Sequence, residues 1–275
     1  MASSHRAIPG FRLSLGFTLF YISALVLIPL ALLVAKSQSG GFSAFWGAVT
    51  TPRALASLKF TLFVSFVAAA INVVFGFILA WVLARIPFPG RRFVDALVDL
   101  PLALPTAVAG IALTAIYADH GWIGSRLAPL GIHVAFRWTG VVIALVFVGL
   151  PFLVRTVQPV IADLDPAVEE AAVTLGASPI QTFAFVILPT LFPALRAGFA
   201  AAFARALGEY GSVVFIAGNM PMKTEISALL IMTKLDQFDY VGAASLGVVM
   251  LAASLLVLFV VHASRTASER RRAVA

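Results

Sequence analysis

The 275 residues are 61% hydrophobic and only 11% charged, with a mean hydropathy of +1.03. A water-soluble fold carries about 25% charged residues, so the surplus apolar surface must face lipid. The net charge of +7 does not mark a nucleic-acid binder, because the basic residues are scattered and Gln158 to Pro193 contains no Lys or Arg. There is no cysteine, and His5, His120, His133 and His262 are far apart in sequence. Disulfides, thiolate metal sites and a cysteine nucleophile are excluded, and no metal or catalytic residue is assigned.

A membrane span needs about 20 mainly apolar residues to cross roughly 30 Å of hydrocarbon. Six candidates follow in chain order: Leu13–Val34, Phe60–Ala84, Leu100–Ala118, Thr139–Ile161, Leu191–Ala217 and Tyr240–His262. The first exceeds the apolar core of about 7–15 residues found in signal peptides, so it is expected to be an uncleaved, accessory helix (13–34) set off by the Ser-Gly-Gly linker at 39–41. The other five form the expected transmembrane domain, 57–263. Pro101 and Pro105 disturb the start of the third span, either by kinking it or by unwinding it so that backbone groups face a cavity. The fifth carries Arg196, Arg205 and Glu209.

Placing the N-terminus inside puts eleven Lys and Arg on the inner side and seven on the outer, with Arg205 inside a span. The positive-inside rule then expects both termini, residues 1–12 and the basic tail 264–275, to be cytoplasmic. Asn72 is a lone polar residue in the second span, expected to hydrogen-bond between helices. Arg155, near the inner end of the fourth, is expected to snorkel to the interface. The outer segment Glu225–Lys234 is expected to form a short interfacial helix.

The cytoplasmic loop 162–189 has explicit helix ends. Asp165 is placed to N-cap a helix with Pro166 at its first position. Glu169 and Glu170 lie early, where the helix dipole favours them. Gly176 can take the left-handed conformation that stops the helix. Ser178-Pro-Ile-Gln181 then reads as a capping box opening a second helix that runs to Leu188-Pro189. The result is a helix–glycine–helix knob, compact enough to move as one body.

Arg205 and Glu209 stand four apart and are expected to share a helix face deep in the fifth span. An unpaired charge there costs at least about 2.5–3.5 kcal/mol. Either this face lines a translocation path, with Arg205 attracting a dianion, or the two residues form a structural ion pair. Gly198, Ala201, Ala202, Gly208 and Ser212 lie on the same side and permit close helix approach.

Glu170-Ala171-Ala172, three residues, Gly176, then Val186-Ile187-Leu188-Pro189 resembles the EAA loop of ABC-importer permeases. Val186 stands where that pattern has Ile. The match extends through Glu169, Leu175, Ala177, Pro193 and Gly198. The resemblance implies an all-α integral membrane protein of about six transmembrane helices, with the type I importer permease fold and cytoplasmic coupling helices that sit on an ATPase subunit. Asp99 to Gly110, Gly149 to Pro159, and Arg205 to Gly211 with Ile216 to Asn219 resemble the oxyanion importers. Leu104 to Gly110, Lys223-Thr224-Glu225 and Phe238-Asp239-Tyr240 resemble the sulfate/thiosulfate permeases, and among their two types the T subunit.

That resemblance implies a bacterial inner-membrane permease working with several partners. They are a second, homologous permease subunit in a heterodimer, two ATPase subunits and a periplasmic sulfate- or thiosulfate-binding protein. ATP and Mg would sit on the ATPase, and no cofactor is expected in this chain, which has no phosphate-loop motif. The coupling residues it implies are Glu169, Glu170, Ala171, Ala172, Gly176, Leu188 and Pro189. Candidate pathway residues are Arg205, Glu209, Pro101, Pro105 and Thr106. The alternative is a molybdate or tungstate permease, acting as a homodimer. An ion-coupled secondary transporter would show repeats and midplane carboxylates. No repeat is evident, and Glu209 is the one obvious intramembrane carboxylate.

Overall fold

The computed structural model describes the backbone of residues 11–274, and side chains as far as Val257 together with Phe259, apart from that of Arg12. The expectations for residues 1–10 and for the side chains of the basic tail lie outside the described residues. Among the described residues the chain is helical, without strands.

In order, α1 covers residues 11–38 and α2 Gly41–Val49. The long α3 covers Pro52–Arg85, α4 Arg91–Val98, α5 Leu100–Ala103 and α6 Thr106–Tyr117. The short α7 covers Gly124–Leu127 and α8 Trp138–Ala162. Next come α9 at Pro166–Thr174, α10 at residues 179–207, α11 at Val213–Ile216, α12 at Ser227–Asp236 and α13 at Tyr240–Val274. Five of these contain stretches long and apolar enough to cross a membrane: Leu13–Gln38, Pro52–Arg85, Trp138–Ala162, Pro179–Leu207 and Tyr240–Val257.

Two expected spans are corrected. The third does not form one helix. Leu104 and Pro105 are extended, and the chain resumes helix only at Thr106. Proline pushes the residue before it out of the helical region, so the pair breaks the span. The fifth does not run to Ala217. Its helix starts at Pro179, ends at Leu207, and is followed by a non-helical Gly208–Tyr210 stretch. The second helix of the loop therefore continues past Leu188-Pro189 instead of stopping there.

That continuation depends on a π-helical turn, Phe183–Ile187, in which the Leu188 N–H reaches back to the Phe183 carbonyl. Pro189 has no N–H for the Phe185 carbonyl and its ring would crowd it, and the wider turn relieves both. The same arrangement occurs in α1, where the π turn Ser23–Leu27 ends on an Ile28 N–H bonded to Ser23 O and is followed by Pro29.

The described chain falls into two compact units. In one, residues up to Thr51 associate with Ile231–Val249. Leu33 packs beside Gly247 and Lys36 lies 5.7 Å from the Tyr240 ring. Asp239 accepts from the Gly242 N–H at 2.8 Å, capping α13, and pairs with Lys234 at 2.7 Å.

The other unit holds Pro52–Leu230 and the chain from Met250 onward. Its centre is the packing of α3, α8 and α10. Lipid gives helices little hydrophobic reason to associate, so close van der Waals fit must do it. Leu153 of α8 is fully buried. A methyl at Gly76 of α3 would stand 2.5 Å from its Cδ2, and one at Gly198 of α10 would stand 2.8 Å from its Cδ1. Leu153 is thus a knob in a hole made by two missing side chains. At the start of α3, Arg53 makes a bidentate pair with Glu225 at 2.6 and 2.8 Å, and the Ser227 N–H donates to Thr61 Oγ1 at 2.8 Å.

The expected hydrogen bond of Asn72 is absent. Its carboxamide is fully buried, neither atom has a partner among the described residues, and it lies against Gly149.

Candidate functional site: the capped loop and the paired helix breaks

Loop 162–189 folds as its end signals dictate. The Asp165 carboxylate accepts from the Ala167 N–H at 2.9 Å, with Pro166 next. At the far end of α9, Gly176 sits at φ +86°. The Ala177 N–H reaches the Ala172 carbonyl at 3.0 Å, and the Gly176 N–H reaches the Val173 carbonyl at 2.9 Å. This double closure is the Schellman motif, and it needs the left-handed residue that glycine supplies. Ala172 and Gly176 are therefore joined by one turn. Ser178 and Gln181 complete the reciprocal capping box, at 2.8 Å and 3.3 Å.

The knob presents apolar side chains to its surroundings. Val168, Val173, Leu175, Ile180 and Phe185 are all exposed, Leu175 at 89%. Beside them is an open hollow of about 550 Å³, lined by Glu169, Glu170, Val173, Thr174, Pro179, Thr182 and Ile187. Clustered exposed apolar side chains of this size mark a contact surface. Ala171 is exposed, Ala172 half-buried, and Leu188 and Pro189 lie where α10 leaves the π turn.

Glu169 and Glu170 part company. The Glu170 side chain is exposed and makes no ion pair among the described residues. Glu169 takes a 2.6 Å bond from Arg85 Nη2, at the end of α3. The Arg85 guanidinium lies 5.7 Å from the Trp81 ring. One ion pair thus joins the first turn of α9 to the long span α3.

A second tie lies close to the first in the chain. Arg155 of α8 does not snorkel. Its Nε and Nη2 grip the two Asp99 oxygens at 2.8 and 2.7 Å. Nη1 donates to the Asp95 carboxylate at 2.7 Å and to Gln158 at 2.8 Å, and Nη2 also reaches the Asp95 carbonyl at 2.7 Å. Arginine's rigid fork suits this multidentate grip. The hydrogen bond from Arg155 holds the Asp95 carboxyl below the usual carboxylate range. Neither Arg85 nor Arg155 is brought to its carboxylates by any short sequence spacing, which is why sequence reasoning missed both ties.

The candidate pathway residues gather around two helix breaks. Arg205 lies in the last turn of α10, and Glu209 lies just past its end, so they do not share a continuous helix face. The turn still brings them to 2.6 Å. Glu209 is 2% exposed, and its other oxygen accepts from the Ser212 N–H and Oγ, both at 2.9 Å. Gly211 packs on the Thr106 side chain, and Gly110 on the Ser212 backbone, so closely that neither glycine has room for a Cβ. The break after Leu207 is therefore seated against the break at Pro105. Thr106 belongs to this cluster, Pro105 lies at its edge, and Pro101 is buried one helix earlier. Gly198 and Ala202 are buried against Leu153 and Gly149.

The comparisons agree with this architecture. Residues 72–274 match the family described as binding-protein-dependent transport system inner membrane component. The chain is 48% identical over 269 residues, 98% of its length and 97% of the relative's, to the sulfate transport system permease protein CysT of Salmonella typhimurium. It is 47% identical over the same length to that of Escherichia coli. A solved chain of a bacterial alginate ABC transporter, in complex with its pentasaccharide-bound periplasmic protein, superposes with a TM-score of 0.76 at 17% identity, covering 93% of this chain and 94% of that one. This protein, with its broken helices and its capped EAA-type loop, belongs to the binding-protein-dependent transport system inner membrane component family.

Proposed function

We propose that this chain is the permease subunit of an ATP-driven importer of sulfate, with thiosulfate as a second substrate. The observation that carries the reading is near-full-length identity of 47–48% to relatives named as sulfate transport permeases. The bacterial inner membrane is its place, with both termini cytoplasmic. Its partners are a second homologous permease, two ATPase subunits that hold ATP and Mg, and a periplasmic anion-binding protein. Loop 162–189 faces the cytoplasm, and its exposed apolar side chains with the free Glu170 carboxylate dock on the ATPase.

In this reading the exposed knob receives the motion of the ATPase, and the fold carries it inward along two routes. One is covalent, since α10 continues from the knob through the π turn into a span. The other is the Arg85–Glu169 pair, which ties the knob to α3. The Arg155 cluster holds α4 and α5 to α8, so those elements move together. Displacement then reaches the facing helix breaks around Thr106, Arg205 and Glu209, where the anion passes.

The test is uptake of radiolabelled sulfate by cells lacking this chain, with and without the chain restored, in the presence of excess thiosulfate or molybdate. Restored, ATP-dependent uptake that thiosulfate suppresses is the expected result. Sulfate uptake that never depends on the chain removes the substrate assignment, and molybdate uptake is then measured in the same cells.

A further inference from the structure

The described helices long and apolar enough to cross a membrane contain five arginines. Arg53, Arg85, Arg155 and Arg205 each hold a carboxylate at 2.6–2.8 Å. Arg196 of α10 holds none among the described residues. Its Nε is buried without a hydrogen-bond partner, and its guanidinium lies 4.9 Å from the centre of the Phe192 ring. Phe192 is exposed and Arg196 half-buried, so the guanidinium lies at the edge of the packing of α10, with its Nε turned inward. A half-buried guanidinium near the inner end of a span is stabilised by a counter-charge, which the headgroup layer or a passing anion can supply. A one-sided site on an aromatic ring, with a free planar fork of donors, suits an acceptor with several oxygens arriving from outside the chain.

We propose that Arg196 binds a tetrahedral oxyanion in the assembled transporter. Two sources offer that chemistry: the phosphate of a lipid headgroup, whose acyl chains would run along Phe192, and the transported sulfate. The sulfate source rests on the importer reading above; the lipid source requires only that the chain spans a membrane.

The test uses the complete purified transporter, as wild type, Arg196→Lys and Arg196→Gln, in bilayers of phosphatidylcholine with or without phosphatidylglycerol. Retained phosphatidylglycerol is counted by native mass spectrometry, and radiolabelled sulfate binding is measured at equilibrium. Loss of a charge-assisted bond predicts a fall of about tenfold or more for Arg196→Gln in one of the two. Arg196→Lys is expected to keep most of it. A loss confined to phosphatidylglycerol assigns the lipid phosphate, and one confined to sulfate assigns the transported anion. Removing an uncompensated charge from a span is expected to leave the melting temperature unchanged or higher. If Arg196→Gln alters neither ligand, or lowers the melting temperature and releases the second permease, the counter-charge is absent or is a protein carboxylate, and the proposal is overturned. Should the wild-type transporter bind no sulfate, the sulfate source is overturned and the lipid measurement still decides, while the importer reading is decided separately by uptake.

Discussion

Single residues account for much of what distinguishes a span here from an ordinary apolar helix. Glu209 is buried, and its charge is neutralised by Arg205 and spread over two bonds from Ser212. Arg205→Ala leaves that carboxylate without a counter-charge, and breaking a buried pair from one side costs about 3–5 kcal/mol. We expect little assembled transporter from it. Replacing both, as Arg205→Met with Glu209→Leu, is expected to restore assembly, measured by detergent size-exclusion chromatography, together with part of the uptake. A double variant that assembles fully yet moves no sulfate would assign Arg205 to the anion itself. At Asp239 the bond from Lys234, aided by the Gly242 N–H, holds the carboxyl below its usual value. A folded pKa below the unfolded value of about 3.9 stabilises above that value and is lost as pH falls through the folded one. Melting temperatures of wild type and Asp239→Asn should therefore differ by a constant amount above about pH 5 and converge in more acid solution. A gap that widened on acidification would refute the assignment.

Elements show where reading the sequence succeeded and where it stopped. Asp165, Gly176 and the Ser178–Gln181 box were legible because caps act within one turn, and local chemistry alone decides them. The far end of α10 was not. Composition marks Leu191–Ala217 as one mainly apolar run despite Arg196, Arg205 and Glu209, and nothing in its hydropathy shows the break at Gly208–Tyr210. Arg155 was misjudged for a related reason: its partners Asp95 and Asp99 lie 60 and 56 residues away, beyond any periodicity argument. Asn72 is buried with no hydrogen-bond partner among the described residues, and nothing in the packing explains it. The Leu153 knob is also invisible in sequence, yet it sets a sharp expectation. Gly198→Val drives a side chain into Leu153, an overpacking cost of about 1–3 kcal/mol. Adding Leu153→Ala should recover part of that loss in a thermal melt, whereas independent sites would show additive losses.

At the scale of the whole chain, the class and the exposed knob follow from hydropathy and caps, hydropathy's six apolar runs become five long helices, and the comparisons place the fold among importer permeases. What hydropathy could not supply is the wiring: which span the knob leans on, and that the third and fifth apolar runs stop short and meet. The π turn at Phe183–Ile187 gives this wiring a phase. Such a turn holds one residue more than the α-helical ladder, and each residue of a helix advances about 100° about its axis. Ile180 and Phe185, on the exposed side, are therefore set at an angle to Leu191 and Leu195 in the core that a continuous α-helix would not give. Deleting Ala184 together with Pro189→Ala, which returns the N–H that the Phe185 carbonyl lacks, should let the ladder close as plain α-helix and swing the knob about 100° while the span stays seated, with Pro189→Ala alone as the control. Such a chain should still insert and fold, and under the function proposed above an ATPase partner should hydrolyse ATP no faster when the loaded binding protein is added. On that proposal the turn is the timing mark of the machine, where the angle between drive and load is set.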